Sequence, residues 1–256
     1  FKPQAYRRAG PVWFFRKEIR LFMRDSTEWS QLFMIGALIL VYLYNFKVLP
    51  LDRAPIATVH LANLIGYANI VLAGFLVVSL CARFVYPTIS MEKEAFNVLC
   101  TSPLSMNRYL LYKYLFYMIP FTVIMLILLL AGNHLLGIDG PMWWISLFTG
   151  LLISWSVVGT ALGFGARHAD FKIENRAAAM GGVGAITFLF TAMSLTLVIV
   201  ALGFYPAYRL VRNWMNGFGL SIGDQWMMGF SLLGMVAAAI AVPWVSIKRG
   251  MNRLIP

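Results

Sequence analysis

Residues 62–82 read Ala62-Asn63-Leu64-Ile65-Gly66-Tyr67-Ala68-Asn69-Ile70-Val71-Leu72-Ala73-Gly74-Phe75-Leu76-Val77-Val78-Ser79-Leu80-Cys81-Ala82. No charged side chain interrupts this run, and about 20 such residues carry a helix across roughly 30 Å of hydrocarbon. Five more windows share the property, at 31–46, 114–133, 142–166, 177–204 and 226–247. Lipid cannot hydrogen-bond a backbone, and the ten-residue alternation of a barrel strand is lacking, so each window is expected to be helical. The first is short, but Lys47 can snorkel and let Val48 and Leu49 extend it. Pro120 should kink the third. The pattern predicts an all-α polytopic membrane protein with six transmembrane helices.

Composition agrees. Of 256 residues, 60% are hydrophobic, 15% aromatic and only 12% charged, against roughly 45–50% apolar and 25% charged in soluble domains. A soluble enzyme, a disordered chain, a coiled coil and collagen are all excluded on these figures. Cys81 and Cys100 form neither a disulfide framework nor a zinc pattern. No signal-peptide pattern follows Phe1.

The formal charge of +11 acquires its meaning from its location. Segments 1–30, 83–113, 167–176 and 248–256 hold 17 of the 21 Lys and Arg residues. The alternating segments 47–61, 134–141 and 205–225 hold Lys47, Arg53, Arg209 and Arg212. The positive-inside rule puts the first set in the cytoplasm. Both termini are then cytoplasmic, the location is the cytoplasmic or inner membrane, and no nucleic-acid partner is expected.

Catalytic chemistry has little to work with. The six windows contain no Asp, Glu, Lys, Arg or His, the groups that announce proton relays and ion-coupled carriers. His60, His134 and His168 fall in three different loops, which argues against haem or metal ligation. The Gly-x-Ser-x-Gly spacing at Gly219-Leu220-Ser221-Ile222-Gly223 follows no strand pattern that would make it a nucleophile elbow, and a His-Glu-x-x-His pattern is missing. A Gly-x-x-x-x-Gly-Lys-Ser/Thr phosphate loop is missing as well, so any work done is expected to draw on another chain. The expectation is a non-enzyme with no cofactor, no metal and no catalytic residue. Polar groups inside the windows, such as Asn63, Asn69, Ser154, Ser156 and Thr160, read as interhelical glue. Gly159 and Gly163 mark a close helix crossing.

Two segments on the basic side carry more information. Over residues 12–25, Val12, Phe15, Ile19, Phe22 and Met23 share one arc at 100° per residue, while Arg16, Lys17, Arg20 and Arg24 occupy another. A basic amphipathic helix of this kind lies in the headgroup layer and gains from anionic lipid. Residues 1–30 are therefore expected to form an interfacial unit ahead of the helical domain at 31–256. The loop 83–113 greatly exceeds the 2–8 residues usual between bundle helices. Pro87 should end the preceding helix, Ser90 can cap a short helix over about 91–100, and Glu92 and Glu94 suit its first turn. Thr101-Ser102-Pro103 stops it. Met91, Phe96, Val98 and Leu99 beside those acids make a peg for a groove in a soluble partner.

The run Lys17-Glu18-Ile19-Arg20-Leu21-Phe22-Met23-Arg24-Asp25, the stretch Phe84-Val85-Tyr86-Pro87-Thr88-Ile89-Ser90-Met91-Glu92, the stretch Leu99-Cys100-Thr101-Ser102-Pro103-Leu104-Ser105 with Lys113, and Asp170-Phe171-Lys172-Ile173-Glu174-Asn175-Arg176 together resemble the permease subunits of type-2 ABC exporters. The resemblance implies a membrane-spanning export subunit working by alternating access, driven by a separate ATP-binding cassette ATPase and paired with a second copy or half. It implies that residues 91–101 are the coupling helix, with Met91, Glu92, Glu94, Phe96, Leu99, Ser102 and Pro103 meeting the ATPase. Residues 12–25, with Arg16, Lys17, Glu18, Arg20, Arg24 and Asp25, would be the connecting helix. Some such permeases carry another membrane half upstream, which fits a chain starting at Phe1. The rival expectations are a non-transporting anchor or assembly subunit and an intramembrane enzyme acting on lipid. Residues 205–225, with Tyr205, Tyr208, Trp214 and Phe218 between turn formers, are expected to form an interfacial or re-entrant segment.

Overall fold

A computed structural model describes residues 3–24, 26–48, 58–93, 96, 105–172, 176–217, 219 and 221–254. Apart from short turns and links, these residues are helical. The elements are α1 (Pro3–Arg24), α2 (Ser26–Val48), α3 (Thr58–Phe84), two 3-10 turns (Tyr86–Thr88 and Ser90–Glu92), α4 (Met106–Leu135), α5 (Pro141–Arg167), a one-turn α6 (Arg176–Met180), α7 (Val183–Asn216) and α8 (Ile222–Leu254). Five of them, α3, α4, α5, α7 and α8, are long and apolar enough to cross a membrane, whereas the apolar part of α2 covers only Phe33–Asn45.

α5 is the central post. It packs against α3, α4, α7 and α8, and Ile153, Val157, Val158 and Ala161 are fully buried along it. Its hydroxyls are largely spent on its own backbone: Ser156 donates to the Ile153 carbonyl at 2.9 Å and Thr160 to that of Ser156 at 2.7 Å. Such back-bonding lets a polar side chain sit in an apolar bundle. Asn133 of α4 donates to Ser146 Oγ at 2.6 Å, an interhelical bond of the expected kind. The outward faces carry Phe33, Leu72, Phe190, Trp226, Phe230, Leu233 and Trp244, all exposed, as a lipid-facing surface requires.

The glycines of α5 set the closest crossing. A Cβ on Gly159 would meet Pro243 of α8, and one on Gly163 would land on the Ser246–Ile247 backbone. Gly250 reciprocates, since a Cβ there would strike the Gly163 carbonyl. Removing side chains at these positions lets the two backbones touch, as the Gly159/Gly163 spacing implies.

Two local expectations are corrected. Residues 205–216 continue α7 without a break through Pro206, and the helix ends at Gly217 in a left-handed cap (φ 65°), so this stretch is not re-entrant. Its aromatic residues lie on a continuous helix because Asn213, Trp214 and Met215 precede any residue that requires positive φ. The short helix expected from residue 91 does not begin there. Ser90–Glu92 is a 3-10 turn, and Lys93 with φ 46° ends it. Ser90 does not act as a cap but accepts a hydrogen bond from the Asp170 backbone N–H at 3.2 Å. The reason is burial: Val85, Tyr86 and Ile89 plug into the bundle and draw the chain inward. Tyr86 stacks on Phe188 at 5.9 Å and lies where any Cβ on Gly165 or Gly184 would collide with it.

Candidate functional site

The site lies at the end of the bundle where α1, the two 3-10 turns and the start of α4 converge. The period of α1 puts Phe14 and Glu18 on one face, and both are buried. Phe14 packs edge-on to Tyr109 at 6.0 Å and against Tyr112 at 5.6 Å, and Phe15 meets Phe116 at 6.0 Å. The face carrying Val12, Ile19 and Met23 stays exposed.

Behind this aromatic clasp sits a neutral cluster of two lysines and two carboxylates. Lys113 Nζ lies 2.8 Å from Glu92 Oε1 and 3.5 Å from Glu18 Oε1. Lys17 Nζ lies 3.0 Å from Glu92 Oε2 and 3.4 Å from Glu18 Oε1. Lys113, with 3% of its side chain exposed, also donates to Thr88 Oγ1 at 3.0 Å. Tyr109 donates to Glu92 Oε1 at 3.3 Å, and Tyr117 shares a 2.9 Å hydrogen bond with Thr88. Burying charges this deeply is tolerated because every ammonium and carboxylate faces an opposite charge. Burial pushes the Glu92 carboxyl up, but Lys113 and then Lys17 outweigh it and hold it below the usual carboxylate range.

The cluster reaches a third element. Phe96 stacks on Phe171 at 4.6 Å and contacts Tyr109 at 6.5 Å. The loop after α5 is thereby tied to the segment after α3, reinforcing the Ser90–Asp170 bond.

Of the residues the sequence singles out, the structure brings Lys17, Glu18, Glu92 and Phe96 together. Glu92 faces into the bundle and not outward. Arg16, Arg20 and Arg24 are exposed on α1, and Arg16 lies over the Trp13 ring at 5.3 Å. Met91 is half-buried. Glu94, Leu99, Ser102, Pro103 and Asp25 lie outside the described residues. Sequence reasoning missed Thr88, Tyr109 and the central place of Lys113. Lys113 figured in the sequence only as an orientation charge and as part of the family-like motif.

A family model matches residues 12–255, and its description is "putative ATP-binding cassette". The chain belongs to this ATP-binding cassette family. No curated protein and no solved structure matches it. The match corrects three expectations. It is not to the permease family of type-2 exporters, so that assignment falls. The export-permease function drawn from the resemblance falls with it. The expectation of a non-enzyme is likewise overturned, since the family description names ATP binding. Sequence reasoning went astray by carrying a family's function over from loosely spaced motifs.

A nucleotide makes definite demands on its site. Phosphates are cradled where a glycine-rich turn opens a helix and supplies Lys and Ser/Thr. Glycines precede α5 and α7, at Gly140 and Gly182. These lead into Pro141-Met142-Trp143 and Val183-Gly184-Ala185, and the space beside Gly140 is filled by the Trp214 ring. Lys113 is consumed by its carboxylates. Among the described residues no glycine-rich turn with Lys and Ser/Thr fits the phosphates of a nucleotide in this way, and no step through a nucleotide is derived.

Proposed function

We propose that this chain is a membrane-embedded component of an ATP-binding cassette transporter assembly, and that the buried cluster is its force-bearing joint. The observation that carries the proposal is the Lys17–Glu18–Glu92–Lys113 cluster, which unites an interfacial helix, a buried turn segment and the foot of a long apolar helix. Movement applied to residues 86–93 or to α1 would pass through the cluster into α3, α4 and α5. In this proposal α2 is the sixth crossing: 23 residues span about 34 Å as a helix, enough for a bilayer. The end bearing the cluster faces the cytoplasm, since most Lys and Arg lie there. Residues 1–30 then form the interfacial unit of the 31–256 helical domain. Met91, Glu94, Leu99, Ser102 and Pro103, with Arg16, Arg20, Arg24 and Asp25, form the region through which the chain meets the rest of the assembly, including a second copy of itself, while the half-buried Lys17 and the buried Glu18, Glu92 and Phe96 hold that region to the bundle.

The test is ATP turnover in the assembly purified from membranes with wild-type chain or with Glu92→Lys, which sets three ammoniums around Glu18. The expected result is a loss of turnover of at least tenfold with the chain still in the membrane fraction. Unchanged turnover, or a wild-type assembly with no turnover at all, overturns the proposal.

A further inference from the structure

A second site lies at the same end of the bundle, on the far side of α5 from the cluster. Gly163, Phe164 and Arg167 of α5, Thr191 of α7, and Val242, Val245, Ser246 and Arg249 of α8 enclose a cavity of about 350 Å³. Arg167 ends α5 and Arg249 lies near the end of α8, and the close contact at Gly250, where a Cβ would meet the Arg167 backbone N, sets these two ends side by side. The cavity carries two cations and no acid. Among the described residues, neither arginine lies within ion-pair distance of a carboxylate. Favourable helix C-terminal dipoles explain why cations are tolerated there. They do not explain why two cations flank a hollow whose remaining walls are Phe164, Val242 and Val245.

Two forked guanidinium donors match a phosphate bidentately, and apolar walls match acyl methylenes. We infer that this cavity binds the headgroup of an acidic phospholipid, with the phosphate between Arg167 and Arg249 and the first methylenes against Phe164, Val242 and Val245. Ser246 and Thr191 also line it; the Thr191 hydroxyl already donates to the Thr187 carbonyl at 2.7 Å and so offers an acceptor to a headgroup hydroxyl. Basic pockets between membrane helices on the cytoplasmic side are suited to such headgroups. The occupant is a lipid and not a soluble phosphate because the hollow opens between apolar helices whose outer faces, including Trp244, are exposed. Since Gly163 and Ser246 belong to the α5–α8 crossing, the lipid would brace that contact. The inference rests on these helices spanning a membrane, which carbonate extraction of the chain checks separately.

The experiment titrates the purified full chain in neutral detergent with phosphatidylglycerol and phosphatidylcholine and counts bound lipid by native mass spectrometry. Phosphatidylglycerol is expected to bind at least tenfold more tightly, and Arg167→Gln with Arg249→Gln to lower that preference at least fivefold. Lys172→Gln with Lys248→Gln removes the same charge outside the cavity and is expected to keep it. Inorganic phosphate and ATP serve as competitors, and complete displacement by either at millimolar concentration assigns the site to a soluble phosphate and overturns the lipid. No preference in the wild type, or equal loss in both double variants, also overturns it.

Discussion

Lys113 shows how much one buried charge depends on its neighbours. Its ammonium touches Glu92, Glu18 and Thr88, so Lys113→Met leaves two carboxylates facing Lys17 alone. Breaking a buried pair from one side costs about 3–5 kcal/mol, and the unfolding midpoint in detergent is expected to fall accordingly. Adding Glu92→Leu should restore part of the loss, because the orphaned charge goes too. Glu92 also sets a pH dependence. Lys113 and Lys17 depress its folded pKa below the unfolded value, which is about 4.3. Its contribution is therefore complete above that unfolded value and is lost as pH falls through the folded one. Thermal stability should be level from neutrality to about pH 5 and decline below it, and Glu92→Gln should lack Glu92's share of the decline; an identical slope in the variant would sink the assignment. Lys17 and Glu92 were visible in the sequence as surface charges. That they meet was not, because pairing depends on distance in space between groups far apart in the chain.

At the level of elements, the α5–α8 crossing is the sharpest constraint. A side chain at Gly163 has no flexible neighbour to displace, only the Ser246–Ile247 backbone. Gly163→Val is expected to destabilise by about 1–3 kcal/mol through overpacking. Gly229→Ala on α8, where nothing lies within 4 Å of the new Cβ, should be neutral or slightly stabilising. Equal effects in chemical unfolding would disprove the crossing. The Gly159/Gly163 spacing announced a close approach, but its partner face of Pro243, Ser246 and Gly250 could be found only with α8 in place. The 3-10 turns show the opposite case. Ser90 pointed to a helix start, and the burial of Tyr86 and Ile89 overrode that local preference.

The whole molecule is an apolar bundle with its charges gathered at two ends: the four-residue cluster at one, and at the other Arg209 of α7 paired with Asp224 of α8, which also accepts from Tyr205 at 3.0 Å. If the bundle spans a membrane, Lys172 and Gly219 lie on opposite sides. In a Cys81→Ala, Cys100→Ala background, Lys172→Cys should react with an impermeant thiol reagent only from the cytoplasmic face and Gly219→Cys only from the other. Labelling of both from one side would refute the orientation. Uncharged runs of about twenty residues told by themselves that this chain is built mainly from long apolar helices, because transfer into an apolar phase is a sum over neighbouring residues and can be read along a line. Tertiary structure alone decided that Glu18 is a buried ion-pair partner, that residues 205–216 are helix, and that Arg167 and Arg249 frame one cavity. Each of these depends on groups remote in the chain sharing a low-dielectric space, where a charge is stable only if another element brings its counterpart.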